Sequence, residues 1–152
     1  ISGLKTKAQK KAANYISFAG TLPTYKELLA MKALCLLKGV EPNAMGYVMD
    51  EYTKAMLEAT PKDDALGTPI VENGKIAGIP VFTTNYINTD EKTFIGFGCW
   101  GYEPLQGFGE MSFVIDPYTK AKSDSVVLTL NNDFAMSTLR KEAFVLGECA
   151  AE

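Results

Sequence analysis

The chain has 152 residues, of which 47% are hydrophobic, and a mean hydropathy of −0.01, the profile of a soluble globular domain rather than a disordered or membrane-spanning one. Fifteen Lys and Arg against 18 Asp and Glu leave a net charge of −3, which supplies no global attraction to nucleic acid. Histidine is absent, and with it go Ser-His-Asp and Cys-His catalysis, HExxH zinc centres and imidazole-gated pH switching.

Lys5, Lys7, Lys10 and Lys11 form the one basic cluster. It reads as a solvated face or exposed terminus, and no continuous apolar core follows it, so no secretory signal is expected. A start at Ile1 rather than Met suggests a piece excised from a longer protein. Leu4 to Tyr15, rich in Ala and Lys, suits a short helix, and Tyr15-Ile16-Ser17-Phe18 suits an extended segment. Thr24-Tyr25-Lys26-Glu27 has the form of a capping box, in which the Thr hydroxyl and the Glu carboxylate each accept a backbone N–H of the other residue. Leu28, Met31 and Cys35 recur at helical intervals, Leu34 and Leu37 widen the stripe, and Gly39 supplies a left-handed stop, which predicts a helix over 25–38 packed on a sheet.

Gly46 to Met49 reads as a short buried strand. Asp50 then caps a second helix to about Ala59, with Tyr52, Met56 and Leu57 inward and Glu51, Lys54 and Glu58 outward. Asn73-Gly74 between β-formers (Ile70 to Ile76) signals a two-residue hairpin. Val81 to Thr84 continues as a strand, with Pro80 at its start or on a sheet edge. Phe94 to Gly98 is followed by a loop from Cys99 to Gly109, a strand over 110–115, a turn at Asp116-Pro117 and a strand over 125–131. This last pair forms a ribbon that carries apolar side chains on both faces. It is either a hairpin buried in the same domain or an arm covered by another subunit or by chain outside this sequence.

Gly96-Phe97-Gly98-Cys99-Trp100-Gly101 matches GxGxxG in form, but Tyr102-Glu103-Pro104 cannot open the helix that a dinucleotide site needs, so the glycines read as close-packing positions. Cys99-Trp100 has no histidine to activate a thiolate. The pairs Asp50/Glu51 and Asp63/Asp64 read as a cap and a solvated loop, and no oxygen-ligand spacing of the EF-hand kind occurs. Cys35, Cys99 and Cys149 are odd in number and match no CxxC pattern, which points to a reducing compartment rather than a disulfide framework. Cys35 reads as a small core residue. No catalytic, cofactor-binding or metal-binding residue is assigned, and no cofactor.

The order of these elements, with Gly78-Ile79-Pro80-Val81 after a strand-then-helix unit and Arg140 before Ala143-Phe144, resembles the C-terminal portion of tailed-phage major capsid proteins. The resemblance runs from about Thr21 to Leu146. It implies the Hong Kong ninety-seven-type shell fold, an α+β architecture with a central mixed sheet flanked by two or three helices plus a β-ribbon. In that reading 1–20 is a lead-in segment, 21–98 with 143–149 an A-domain-like core whose loops make capsomer-centre contacts, and 99–142 a P-domain-like ribbon with its loops. The family's N-terminal arm, extended loop and spine helix are missing, and no residue matches the Lys–Asn crosslink of some relatives. The implied function is a non-enzymatic structural subunit of a phage or prophage shell, located in the virion capsid and assembled in the bacterial cytoplasm. Its partners would be copies of itself in pentamers and hexamers, with no small-molecule substrate, sequence-specific nucleic acid or membrane. The alternatives are an encapsulin-type compartment with the same fold and, in another class, a small α/β enzyme or ligand-binding domain using Tyr, Lys and carboxylates.

Overall fold

The capping box forms as the sequence predicts. Thr24 N–H donates to Glu27 Oε2 at 2.7 Å, and Glu27 N–H donates back to Thr24 Oγ1 at 3.4 Å. Helix α1 runs from there over Tyr25–Leu37 and stops at Gly39, whose φ of +67° is one that glycine adopts without steric cost. In this computed structural model, residues 14–63, 67–88, 92–123 and 125–150 are described; the expected Leu4–Tyr15 helix lies almost wholly outside them, as do the lysine cluster and Asp64.

Strands β1 (Tyr15–Ser17), β2 (Met45–Met49), β3 (Lys75–Ile76), β4 (Ile79–Thr83), β5 (Phe94–Cys99) and β8 (Phe144–Glu148) form one six-stranded sheet in the order β1-β8-β5-β2-β4-β3. It is mixed: β1 with β8 and β2 with β4 run parallel, and the other neighbours run antiparallel. Strand alternation sends Tyr47, Met49, Ile95, Phe97 and Val145 into one core with Leu28, Met31 and Cys35 of α1 and Leu57 of helix α2 (Glu51–Ala59). Val48, Phe94 and Leu146 point the other way and pack with Ile87. Burial on both faces explains why β2, β5 and β8 read as continuous apolar runs. The Tyr47 hydroxyl, buried in the core, donates to Leu28 O at 2.8 Å, and burial pushes its pKa upward.

The Asn73-Gly74 hairpin is present. Both residues have positive φ (51° and 70°), and Glu72 and Lys75 exchange two backbone hydrogen bonds of 2.9 Å, as a type I′ turn requires. Ala77-Gly78 repeats the positive-φ pair between β3 and β4, leaving Pro80 as the second residue of β4 beside the short edge strand.

Several expectations are corrected. Leu37 is 81% exposed and does not widen the buried stripe of α1. In α2 the buried residues are Thr53 and Leu57, whereas Tyr52 is 69% exposed and Met56 also lies open. Nine residues make too few turns for a wide inward face, and an i, i+4 pair suffices. Asp50 occupies the N-cap position with extended backbone, but its carboxylate makes no capping bond. In place of the expected loop over 99–109, Cys99 ends β5, Trp100–Tyr102 form a short 3₁₀ turn, and after Glu103 and Pro104 a strand begins at Leu105.

That strand, β6 (Leu105–Asp116), pairs antiparallel with β7 (Val127–Met136) in a separate two-stranded ribbon, so both strands are longer than expected. The chain accordingly divides into a core unit, which pauses at Tyr102 and resumes at Arg140, and a second unit, Glu103–Leu139.

Close packing in the core depends on glycine where aromatic rings lie on the backbone, at Gly98 and Gly147. A Cβ on Gly98 would lie 2.3 Å from the ring of Phe144, its cross-strand neighbour. Gly98→Ala is expected to cost about 1–3 kcal/mol through displacement of that ring, read as a lower urea midpoint at unchanged slope. An unchanged midpoint would show that the ring has room.

Candidate assembly surface

Paired residues of an antiparallel ladder share a face, so the ribbon's register sorts its side chains. Leu105, Phe113 and Ile115 of β6 lie on the same face as Leu128, Leu130, Phe134 and Met136 of β7. Each of these seven is between 53% and 65% exposed. The opposite face mixes Phe108, Val114 and Val127 with Gln106, Ser112, Asp116, Thr129, Asn131 and Asp133. Apolar side chains lie on both faces, as the sequence predicts, but unequally: one face is largely apolar and the other, with Val114 and Val127, is mixed. The expectation of a hairpin buried in the same domain is corrected, since both faces are open. A bulge between Phe108 and Ser112, containing Gly109 at φ +79°, shifts the register of β6 and keeps the apolar side chains on either side of it on one face.

Complete burial of a large apolar side chain is worth about 1.5–3 kcal/mol, so each of the seven leaves roughly 1–2 kcal/mol unrealised while uncovered. The turn at the end of the ribbon is held by side-chain hydrogen bonds. Asp116 Oδ1 accepts from Tyr118 N–H (2.8 Å) and Thr119 N–H (3.2 Å), and the Thr119 hydroxyl bonds the other carboxylate oxygen. The hydroxyl first, then the two N–H groups, hold the Asp116 carboxyl below the usual range.

The landmarks of the sequence fall into the core unit. Gly78 closes the turn into β4 and Ile79 to Val81 begin that strand, and Arg140 precedes β8 with Nη1 3.2 Å from Gly39 O and Nη2 3.0 Å from Lys38 O. Sequence reading noted Arg140 but not this role, since its partners lie 101 and 102 positions away. Gly96 to Cys99 is buried strand, so the GxGxxG match opens no α-helix. Cys99 is fully buried, out of reach of a substrate. Asp63 lies in an exposed loop apart from Asp50 and Glu51, and Thr83, then Lys54, lower the Glu51 pKa. Among the described residues no three His, Cys, Asp or Glu side chains gather to hold a metal. An apolar groove of about 430 Å³ runs past Met45, Val48, Phe82 and Trp100, and its lining contains no titratable side chain.

A family model described as the phage capsid family matches residues 1–149. The chain belongs to the phage capsid family. A major capsid protein of Halomonas phage phiHAP-1 is 29% identical over 105 residues, 69% of this chain and 17% of that protein. A solved chain of Mycobacterium phage Ogopogo superposes with a TM-score of 0.67 at 12% identity, over 93% of this chain and 55% of that one. An encapsulin complex from Synechococcus elongatus does so with a TM-score of 0.61 at 14% identity, over 89% and 52%. At such identities the two structures speak for the fold alone, which is the Hong Kong ninety-seven-type shell fold with its central mixed sheet. This capsid-family chain thus spans about half the length of the solved chains it matches and less of the curated relative.

All three cysteines of the capsid-family chain are buried and free. Burial, with the neighbouring Cys99 thiol next, pushes Cys35 up to about 12, and burial, followed by the charges of Asp50 and Glu27, pushes Cys149 up to about 11. The native chain at pH 8 is expected to react with a thiol reagent far more slowly than the denatured chain, in which all three thiols titrate. Rapid stoichiometric labelling of any thiol in the native state would contradict the core described above.

Proposed function

We propose that this chain is a structural part of a phage or prophage shell subunit, working by self-association and not by catalysis. The observation that carries the reading is the apolar face of the ribbon, about 34 Å long at 3.4 Å per residue and left without a second layer. Family membership adds support. In this reading the core unit is A-domain-like and Glu103–Leu139 is P-domain-like. The working state is a closed particle of pentamers and hexamers, assembled in the bacterial cytoplasm and ending in the virion. Cover for the ribbon comes from shell contacts, each weak alone and additive through multivalency.

The encapsulin reading shares the fold, as the Synechococcus elongatus structure illustrates. The phage reading is favoured because the matches at the level of sequence, the family model and the Halomonas phage protein, both point to capsids.

The test is electron microscopy after expression of the complete reading frame that encodes this chain, alone and with Phe113→Ser plus Leu130→Ser. The unmodified product is expected to form closed shells. The double substitution lies on the uncovered face, so it should leave thiol protection of the core intact while lowering the yield of shells at least about tenfold, the equivalent of 1.4 kcal/mol. A product that stays monomeric across salt, crowding and scaffold conditions, or a double variant that assembles like the parent, would overturn the proposal.

A further inference from the structure

The turn at 140–143, where the chain returns from the ribbon to the core, is held by two other segments of the core unit. Arg140 Nη1 and Nη2 donate to Gly39 O and Lys38 O, carbonyls at the C-terminal end of α1, where a cation also meets the negative end of the helix dipole. Asn14, buried at the entrance to β1, donates through Nδ2 to Lys141 O at 3.0 Å, and its Oδ1 accepts from Lys38 Nζ at 2.6 Å. Cys35 Sγ donates to Glu142 O at 3.5 Å, from the last full turn of α1. Two segments remote in sequence, the C-terminal end of α1 and Asn14, thus converge on four residues.

The outgoing crossing is anchored too. Trp100 Nε1 donates to Gly46 O at 3.3 Å, and its indole meets Phe144 edge-on at 5.4 Å. The segment between the anchors, Glu103–Leu139, is a two-stranded ribbon of marginal intrinsic stability, a kind of element that opens locally at low free-energy cost. Strand β8 begins at Phe144, five positions past Leu139, and pairs with both β1 and β5. Opening that ran from the ribbon into β8 would cut β1 off from the rest of the core sheet and uncover β5.

We propose that the 140–143 turn is a clasp, with Arg140 as its positioning residue, which stops ribbon opening from propagating into β8. The ribbon can then rearrange while the core sheet stays paired. The guanidinium suits the task because its fork reaches two successive carbonyls at once, which a lysine ammonium does not match.

Cys35 is a built-in reporter, since its thiol bonds the clasped turn while Cys149 lies at the far end of β8, bonded through its N–H to Thr93 O. The test measures site-resolved alkylation of Cys35 and Cys149, with amide exchange over 140–146, in the chain itself and in Arg140→Ala and Arg140→Lys. In Arg140→Ala, loss of two charge-assisted bonds should raise Cys35 alkylation and exchange over 140–146 about tenfold, with Cys149 unchanged. Arg140→Lys should fall between, and it carries the comparison if the alanine variant does not fold. The proposal is overturned if both substitutions leave Cys35 as protected as in the parent, or if Cys35 and Cys149 rise together, which is general destabilisation and not release of a clasp. Neither readout needs a shell to form, so failure here is separate from failure of the assembly proposal.

Discussion

Two hydrogen-bonded strands satisfy each other's backbone along one edge and have no second layer on which to lay a side chain, so an apolar face on such a ribbon stays in water until something else covers it. β6 and β7 are long enough, and regular enough on either side of the bulge, to gather seven large apolar residues on one face in just this position. The mixed face opposite, with its Asp, Asn, Thr and Ser side chains, is compatible with water. This asymmetry orients the ribbon: it has one side to be buried and one that can stay wet. The functional reading rests on that distinction more than on any single residue.

The core shows the same chemistry with its cover in place. Continuous apolar runs in β2, β5 and β8 are stable because α1 and α2 close one face of the sheet and Ile87 packs on the other. Glycines at crowded points let rings lie on backbone, Phe144 over Gly98 and Phe18 over Gly147. The result is a core that buries three thiols without pairing them, an arrangement suited to rigidity. Rigidity in the core and unfinished burial in the ribbon are complementary requirements for a building block.

Features with local causes were legible in the sequence. The capping box of α1 is written in four consecutive residues, and Asn73-Gly74 specifies its own turn. The GxGxxG match could be discarded from Tyr102-Glu103-Pro104 alone. Features decided by distant partners were not legible. The start of β6 was hidden because Gly107 and Gly109 favour loops locally, and the end of β7 because Asn131-Asn132-Asp133 resembles a turn; both are fixed by pairing Leu105 to Phe108 with Asp133 to Met136. In α2 Leu57 was placed inward correctly, but Tyr52 and Met56 were chosen over Thr53 because, over nine residues, they fit a helical stripe as well as Thr53 does. Arg140 could be picked out as a landmark, but its carbonyl partners lie on α1, a hundred residues earlier. Of the candidate surface, the alternation that sets Phe113 and Ile115 apart from Val114, and Leu128 and Leu130 apart from Val127, was legible, whereas the part of the face beyond the bulge, Leu105, Phe134 and Met136, was not, because those residues fell outside the expected strands.

The most direct measurement is side-chain footprinting of the ribbon by hydroxyl radicals, comparing the isolated chain with assembled particles made from the complete reading frame. Leu105, Phe113, Leu128, Leu130, Phe134 and Met136 should be readily labelled in the isolated chain and protected in particles, while Tyr47, Phe97 and the rest of the core stay protected in both. Labelling of those ribbon residues that is as fast in particles as in the isolated chain would contradict the account, since it would mean the apolar face is not what the shell buries.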